Sequence, residues 1–207
     1  MLIRFYQLGV TLIELMIGLA IVALVLFLGV PSFAIFLQNT QIRNAAETTL
    51  QGLNLARAEA VRLNAPVRFQ LVGDFTSGCA LSSTSLNWIV SLTDPTGLCN
   101  ISPAGGNASL PGAAAPQIIE EKAGSEGSPN VAVVATGGSS AVFNGLGRLA
   151  SAGITQLDFS DPAGGTCTYV DAVNGKMRCM RIQLSSGGQA KMCDPKVTDT
   201  TDPRVCN

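Results

Sequence analysis

The chain of 207 residues is predicted to be an α+β protein: a long N-terminal α-helix, membrane-spanning in its first half, whose second half packs on a C-terminal antiparallel β-sheet domain. Three observations predict this. After Glu14, residues 15–37 carry no charge, enough helix to cross roughly 30 Å of hydrocarbon at about 1.5 Å per residue. From Gln38 polarity rises while the spacing of apolar residues stays helical. Beyond Pro66, β-branched and aromatic residues fall in short runs bounded by Gly, Pro, Ser and Asn, the pattern of small antiparallel strands.

In order, residues 1–9, MLIRFYQLG, read as a leader whose Arg4 holds positive charge on the cytoplasmic side. Residues 10–37 read as a transmembrane helix. Gly29 and Pro31 interrupt its apolar run, and a proline removes a backbone donor and crowds the preceding turn, so a kink is expected there. Residues 38–64 read as an amphipathic continuation, with Ile42, Ala46, Thr49, Leu53, Ala56, Ala60 and Leu63 on one face and Arg43, Glu47, Arg57, Glu59 and Arg62 on others. From Val10 to Leu63 this makes one helix of about 54 residues, roughly 80 Å if straight. Asn64-Ala65-Pro66 supplies the stop.

Residues 65–207 should then form a β-rich globular unit. Strands are expected at 67–72, 88–93, 117–120, 130–135, 140–144, 155–160, 177–185 and 189–193. Ser186-Gly187-Gly188 marks a hairpin between the last two. Asn174-Gly175 marks a second, preceded by a strand at 167–173. Residues 102–116, rich in Gly, Ala, Pro and Ser, read as a surface loop.

Formal net charge is −1, so no global field draws the chain to nucleic acid. It contains no His, and with it go the usual general base and the commonest metal ligand, which argues against an enzyme, a metal site or a cofactor. Cys79, Cys99, Cys167, Cys179, Cys193 and Cys206 all lie beyond the apolar run, an even count that fits three disulfides in an oxidising compartment. Six cysteines allow fifteen pairings; nearest-neighbour pairing (79 with 99, 167 with 179, 193 with 206) is the expectation, each bridge contributing about 3 kcal/mol in the chain-entropy model.

The residues Gly9-Val10-Thr11-Leu12-Ile13-Glu14-Leu15, behind a short basic leader and ahead of a long apolar helix, resemble the class III signal of type IV pilins and type II secretion pseudopilins. Val10 stands where that family usually has Phe. The resemblance implies cleavage between Gly9 and Val10 by a prepilin peptidase, N-methylation of Val10, and an assembly salt bridge from Glu14 to the freed amine of a neighbouring subunit. An ionised carboxylate costs up to a few kcal/mol in such a span, and pairing offsets that where the dielectric is low. The stretches 53–61, 87–90, 142–148 and 182–194 are similar to the FimT/FimU and H-type (GspH) subgroup.

Gly145-x-Gly147 and Gly187-Gly188 lack the context of a phosphate cradle and read as turns. Some FimT-type pilins bind DNA through a basic C-terminal loop. Lys176, Arg178, Arg181 and Lys191 are the candidates here, with Lys196 and Arg204 nearby, but Asp171, Asp194, Asp199 and Asp202 dilute them. The resemblance therefore implies a minor type IV pilin that joins or primes a pilus, with other pilins, the prepilin peptidase and inner-membrane lipid as partners and the C-terminal domain in the periplasm. A GspH-type pseudopilin of type II secretion is the alternative, and a DNA-binding pilin is an alternative of another class.

Overall fold

A computed structural model describes residues 10–105, 108, 114–151, 153–162 and 177–206, without the side chains of 28–32. The leader through Gly9, the strand expected at 167–173, the Asn174-Gly175 turn, Cys167 and Lys176 lie outside the described residues. The chain divides into two compact units, Met1–Leu37 and Gln38–Asn207.

Helix α1 spans Leu12–Leu63. It begins two residues later than the apolar pattern suggests because Thr11 serves as its N-cap, the Glu14 N–H donating to Thr11 Oγ1 at 3.3 Å. It ends where expected, in a left-handed residue: Asn64 has φ 48°, its N–H donates to Val61 O at 3.3 Å, and the Ala65 N–H donates to Ala60 O at 3.2 Å. This is the 5→2 and 6→1 pair of a Schellman cap, with Asn in place of the usual Gly. The helix runs unbroken through Gly29 and Pro31.

In the first unit the described side chains of residues 10–37 are exposed apart from a half-buried Ile35. Among the described residues no helix is long and apolar enough to cross a membrane. The described apolar side chains of α1 stop at Phe27 and resume at Phe33, either side of the undescribed 28–32.

In the second unit α1 buries Ile42, Ala45, Ala46, Thr49, Leu53, Ala56 and Ala60, the expected face plus Ala45, while Leu63 is half-buried. Buried Thr49 satisfies its hydroxyl by donating to Ala45 O at 2.8 Å. On the outer face, Arg43–Glu47 and Arg62–Glu59 pair at 2.7 Å, contributing a few tenths of a kcal/mol each.

Strands follow as β1 (Val67–Val72), β2 (Asn87–Ser91), β3 (Ile118–Lys122), β4 (Ala132–Thr136), β5 (Ser140–Phe143), β6 (Gln156–Ser160), β7 (Met180–Leu184) and β8 (Ala190–Cys193). Each overlaps one of the expected runs, the ninth of which, 167–173, lies outside the described residues. They form two antiparallel sheets rather than one, in the orders β3-β2-β1-β5 and β4-β6-β7-β8. The chain changes sheet at β3–β4, β4–β5 and β5–β6; in the short β4–β5 connection Gly137 (φ 89°) and Gly138 (φ 148°) carry it across. A Cβ on Gly137 would stand 2.4 Å from Gly153 O, so both backbone angle and space demand glycine there.

One core joins the helix face to both sheets: Phe69, Leu71, Trp88, Val90 and Phe143 from the first, Val133, Leu157, Phe159, Ile182 and Leu184 from the second. Gly52 lets the helix approach the first sheet closely, since a Cβ there would lie 2.9 Å from the Phe69 ring. The reverse face of that sheet carries a smaller cluster, Val72, Ile89 and Ile118 with Cys79 and Cys99. The segment 102–116 is not wholly a surface loop: the Ala104 N–H donates to Ile118 O at 2.8 Å and Ala108 is fully buried, because its small side chain fits the main core.

Candidate functional site

The chemistry-bearing start of α1 is assembled from Val10, Thr11 and Glu14. Thr11 and Glu14 form a reciprocal capping box: besides the Glu14 N–H on Thr11 Oγ1, the Thr11 N–H and hydroxyl both reach Glu14 Oε2 at 3.4 Å. The Thr-Leu-Ile-Glu spacing signals this arrangement in the sequence, where Glu14 is read only for pairing between subunits. The carboxylate thus holds its own helix through one oxygen, by long bonds, and among the described residues Oε1 has no hydrogen-bond partner. Negative charge here also complements the positive end of the helix dipole. Val10 is exposed; Gly9, on the other side of the expected cut, lies outside the described residues. So does the side chain of Pro31, which with Gly29 marks the expected kink.

Two expected disulfides are present, Cys79–Cys99 with Cα atoms 6.0 Å apart and Cys193–Cys206 at 5.2 Å. Cys179 is disulfide-bonded as well; its expected partner, Cys167, lies outside the described residues. The first bridge closes the loop over the smaller apolar cluster. The second ties the C-terminal tail to β8, beside which the Asp194 N–H donates to Arg204 O at 2.8 Å.

The cations considered for DNA are largely engaged within the chain. Arg181 pairs with Asp158 at 2.6 Å and Arg178 with Asp194 at 3.2 Å. Lys191 Nζ donates to Val205 O at 3.1 Å, and Arg204 pairs with Asp202 at 2.7 Å. That last guanidinium, by hydrogen bond and charge, holds the Asp202 carboxyl down at about 2. Lys176 lies outside the described residues. Charges neutralised in place release few counterions, so the described part of the cluster is a poor phosphate surface. A shallow groove beside it is lined by Thr155, Gln156, Gln183, Ser185, Gln189 and Lys191. Among the described residues no group of three His, Cys, Asp or Glu could hold a metal.

The glycines of 144–148 make a turn and not a cradle. The Leu146 and Arg148 N–H groups donate to Asn144 Oδ1 at 3.0 and 3.1 Å, and the Gly147 N–H donates to Asn144 O at 2.8 Å. Those donors are spent on the turn itself.

Comparison with known proteins matches the family model of the type II transport protein GspH to residues 45–188, and that of the prokaryotic N-terminal methylation motif to residues 4–30. No curated protein matches the chain. Two crystal forms of the type IV minor pilin FimU of Pseudomonas aeruginosa align with TM-scores of 0.42. One is 15% identical over 72% of this chain and 90% of FimU, the other 13% identical over 76% and 91%; at that distance the likeness carries no weight.

Proposed function

We propose that this chain, which belongs to the GspH family and carries the N-terminal methylation motif of pilins and pseudopilins, is a minor type IV pilin of the FimT/FimU kind. Its role is structural rather than enzymatic. A prepilin peptidase cuts between Gly9 and Val10 and methylates Val10. The helix of residues 10–37 then sits in the inner membrane as a single pass, with the C-terminal unit in the periplasm, until the subunit enters or primes a filament.

The observation that carries this reading is the exposed apolar stretch of α1 headed by Glu14 inside the matched methylation motif. A helix apolar on all sides belongs in lipid or among other helices. Glu14 Oε1, without a hydrogen-bond partner among the described residues, is the acceptor for the cationic amine of a neighbouring subunit. In low dielectric that pairing is strong and its absence costly, which sets register between subunits. A second reading, a pseudopilin of type II secretion, is favoured by the description of the matched family.

Mass spectrometry of the mature protein tests the processing: the expected N-terminus is N-methylated Val10, and an intact Met1 or a cut after residue 37 overturns it. Glu14→Ala should insert and be cleaved but fail to enter filaments; normal incorporation would remove the pairing role. Deleting the gene separates the readings, since loss of surface pili points to the pilus and loss of exported proteins to secretion.

A further inference from the structure

The turn at residues 144–148, marked in the sequence only as a glycine-rich bend, is built around one projecting side chain. Leu146 is 77% exposed, the most exposed large apolar residue among the described residues of the Gln38–Asn207 unit. A loose loop would let such a leucine fold back onto the surface. This turn is held from within by the bonds to Asn144 and by the Asn144 N–H donating to Arg148 O at 2.9 Å. It is also held from outside, Arg57 Nε of α1 donating to Gly147 O at 3.0 Å.

Three glycines close the remaining space. A Cβ on Gly145 would stand 2.5 Å from Asn64 Oδ1, and one on Gly188 would stand 2.1 Å from Gly147 O. Gly147 itself has φ 71°. The helix end, the bend after β5 and the β7–β8 hairpin are thus all committed to fixing a single bend. A lone exposed leucine is ordinary. One held this firmly is preorganised, because little ordering remains to be done on binding.

Its surroundings define the partner. Val61, 53% exposed, lies beside the turn, its Cγ2 3.1 Å from where a Gly147 Cβ would be. Arg57 and Arg148 flank it, and among the described residues neither forms an ion pair. Planar guanidiniums fit carboxylates in two-point contacts. We propose that this turn is a docking knob for another protein subunit, one whose surface offers an apolar socket rimmed by Asp or Glu. A lipid surface fits less well: one leucine offers too little apolar area for stable anchoring. The inference goes beyond the assembly reading and uses none of residues 10–37.

The test places photoreactive benzoylphenylalanine at position 146 of the full-length chain in its native cells, with position 98, another exposed leucine of the same unit, as control. The expected result is one protein adduct, specific to position 146, whose cross-linked peptide carries Asp or Glu beside apolar residues. Adding Arg148→Glu should cut its yield at least ~10-fold by charge reversal, and Arg148→Lys should retain most of it. An unchanged melting temperature of purified full-length Arg148→Glu protein would show that the loss is not unfolding. No adduct, an adduct to lipid, the same partner from position 98, or a yield indifferent to Arg148→Glu would each overturn the proposal.

Discussion

The two stretches of α1 obey opposite rules. Between residues 42 and 60 the buried positions recur every three or four residues and are mostly small: Ala45, Ala46, Ala56 and Ala60 around Ile42 and Leu53. Between 12 and 27 the side chains are larger and more apolar, yet none of them is covered. Burial therefore follows periodicity and not apolarity. A one-faced stripe is completed by its own chain, whereas an all-round apolar helix has to be completed by something the chain does not supply.

Substitutions on either side of that divide sharpen the contrast. The largest effect is expected from Phe69→Ala, which opens a cavity in the main core and should cost about 3–5 kcal/mol, read by denaturant unfolding of the detergent-solubilised protein. Its counterpart Leu19→Ala should leave the midpoint unmoved; a comparable drop would break the comparison. Next, replacing Cys193 and Cys206 by Ser releases a 13-residue separation and should cost about 3 kcal/mol in the chain-entropy model, with no change in the helical signal of the first unit.

Gly52→Val should destabilise by about 1–3 kcal/mol through overpacking against Phe69 and Trp88, whereas Gly18→Val, where a Cβ meets nothing within 4 Å, should not. Thr11→Ala removes the cap and should cost about 1 kcal/mol, confined to amide protection in the first turn of α1.

The smallest effect is on pH dependence. Asp202 is held at about 2 against an ordinary 3.8, so its contribution is complete above 3.8 and is lost as pH falls through 2. Thermal unfolding between pH 5 and 1.5 should show a slightly shallower acid decline for Asp202→Asn than for the parent; identical curves would remove Asp202 from the acid response.

Alternation of apolar residues and the punctuation between them were enough to place the eight strands found among the described residues, because both are local. Their partition into two sheets was not legible. β1 pairs with β5 across some seventy residues and β4 with β6 past β5, and no short-range pattern encodes such choices. Met177 and Arg178 were expected within β7, yet the Arg178 N–H turns aside to Asn39 Oδ1 at 2.7 Å, so the strand starts later. Gly52 reads as a weak point of a helix, costing about 1 kcal/mol against Ala, until Phe69 is seen lying against it. At the N-terminal site Thr11 and Glu14 were visible, but their service to their own helix was overlooked in favour of service to another's. In the basic cluster, Asp194 and Asp202 were visible as neighbours in sequence, whereas Asp158 meets Arg181 only because β6 pairs with β7.

The bridge at the end of β8 has a consequence for how copies can meet. β8 is a rim of its sheet, and a bare rim invites a strand from a foreign chain and disordered clumping. With the tail laced back over its Cys193 end, that rim is partly occupied from the moment the bridge closes. Lateral sticking by sheet extension is discouraged there, and orderly growth is left to contacts elsewhere on the molecule.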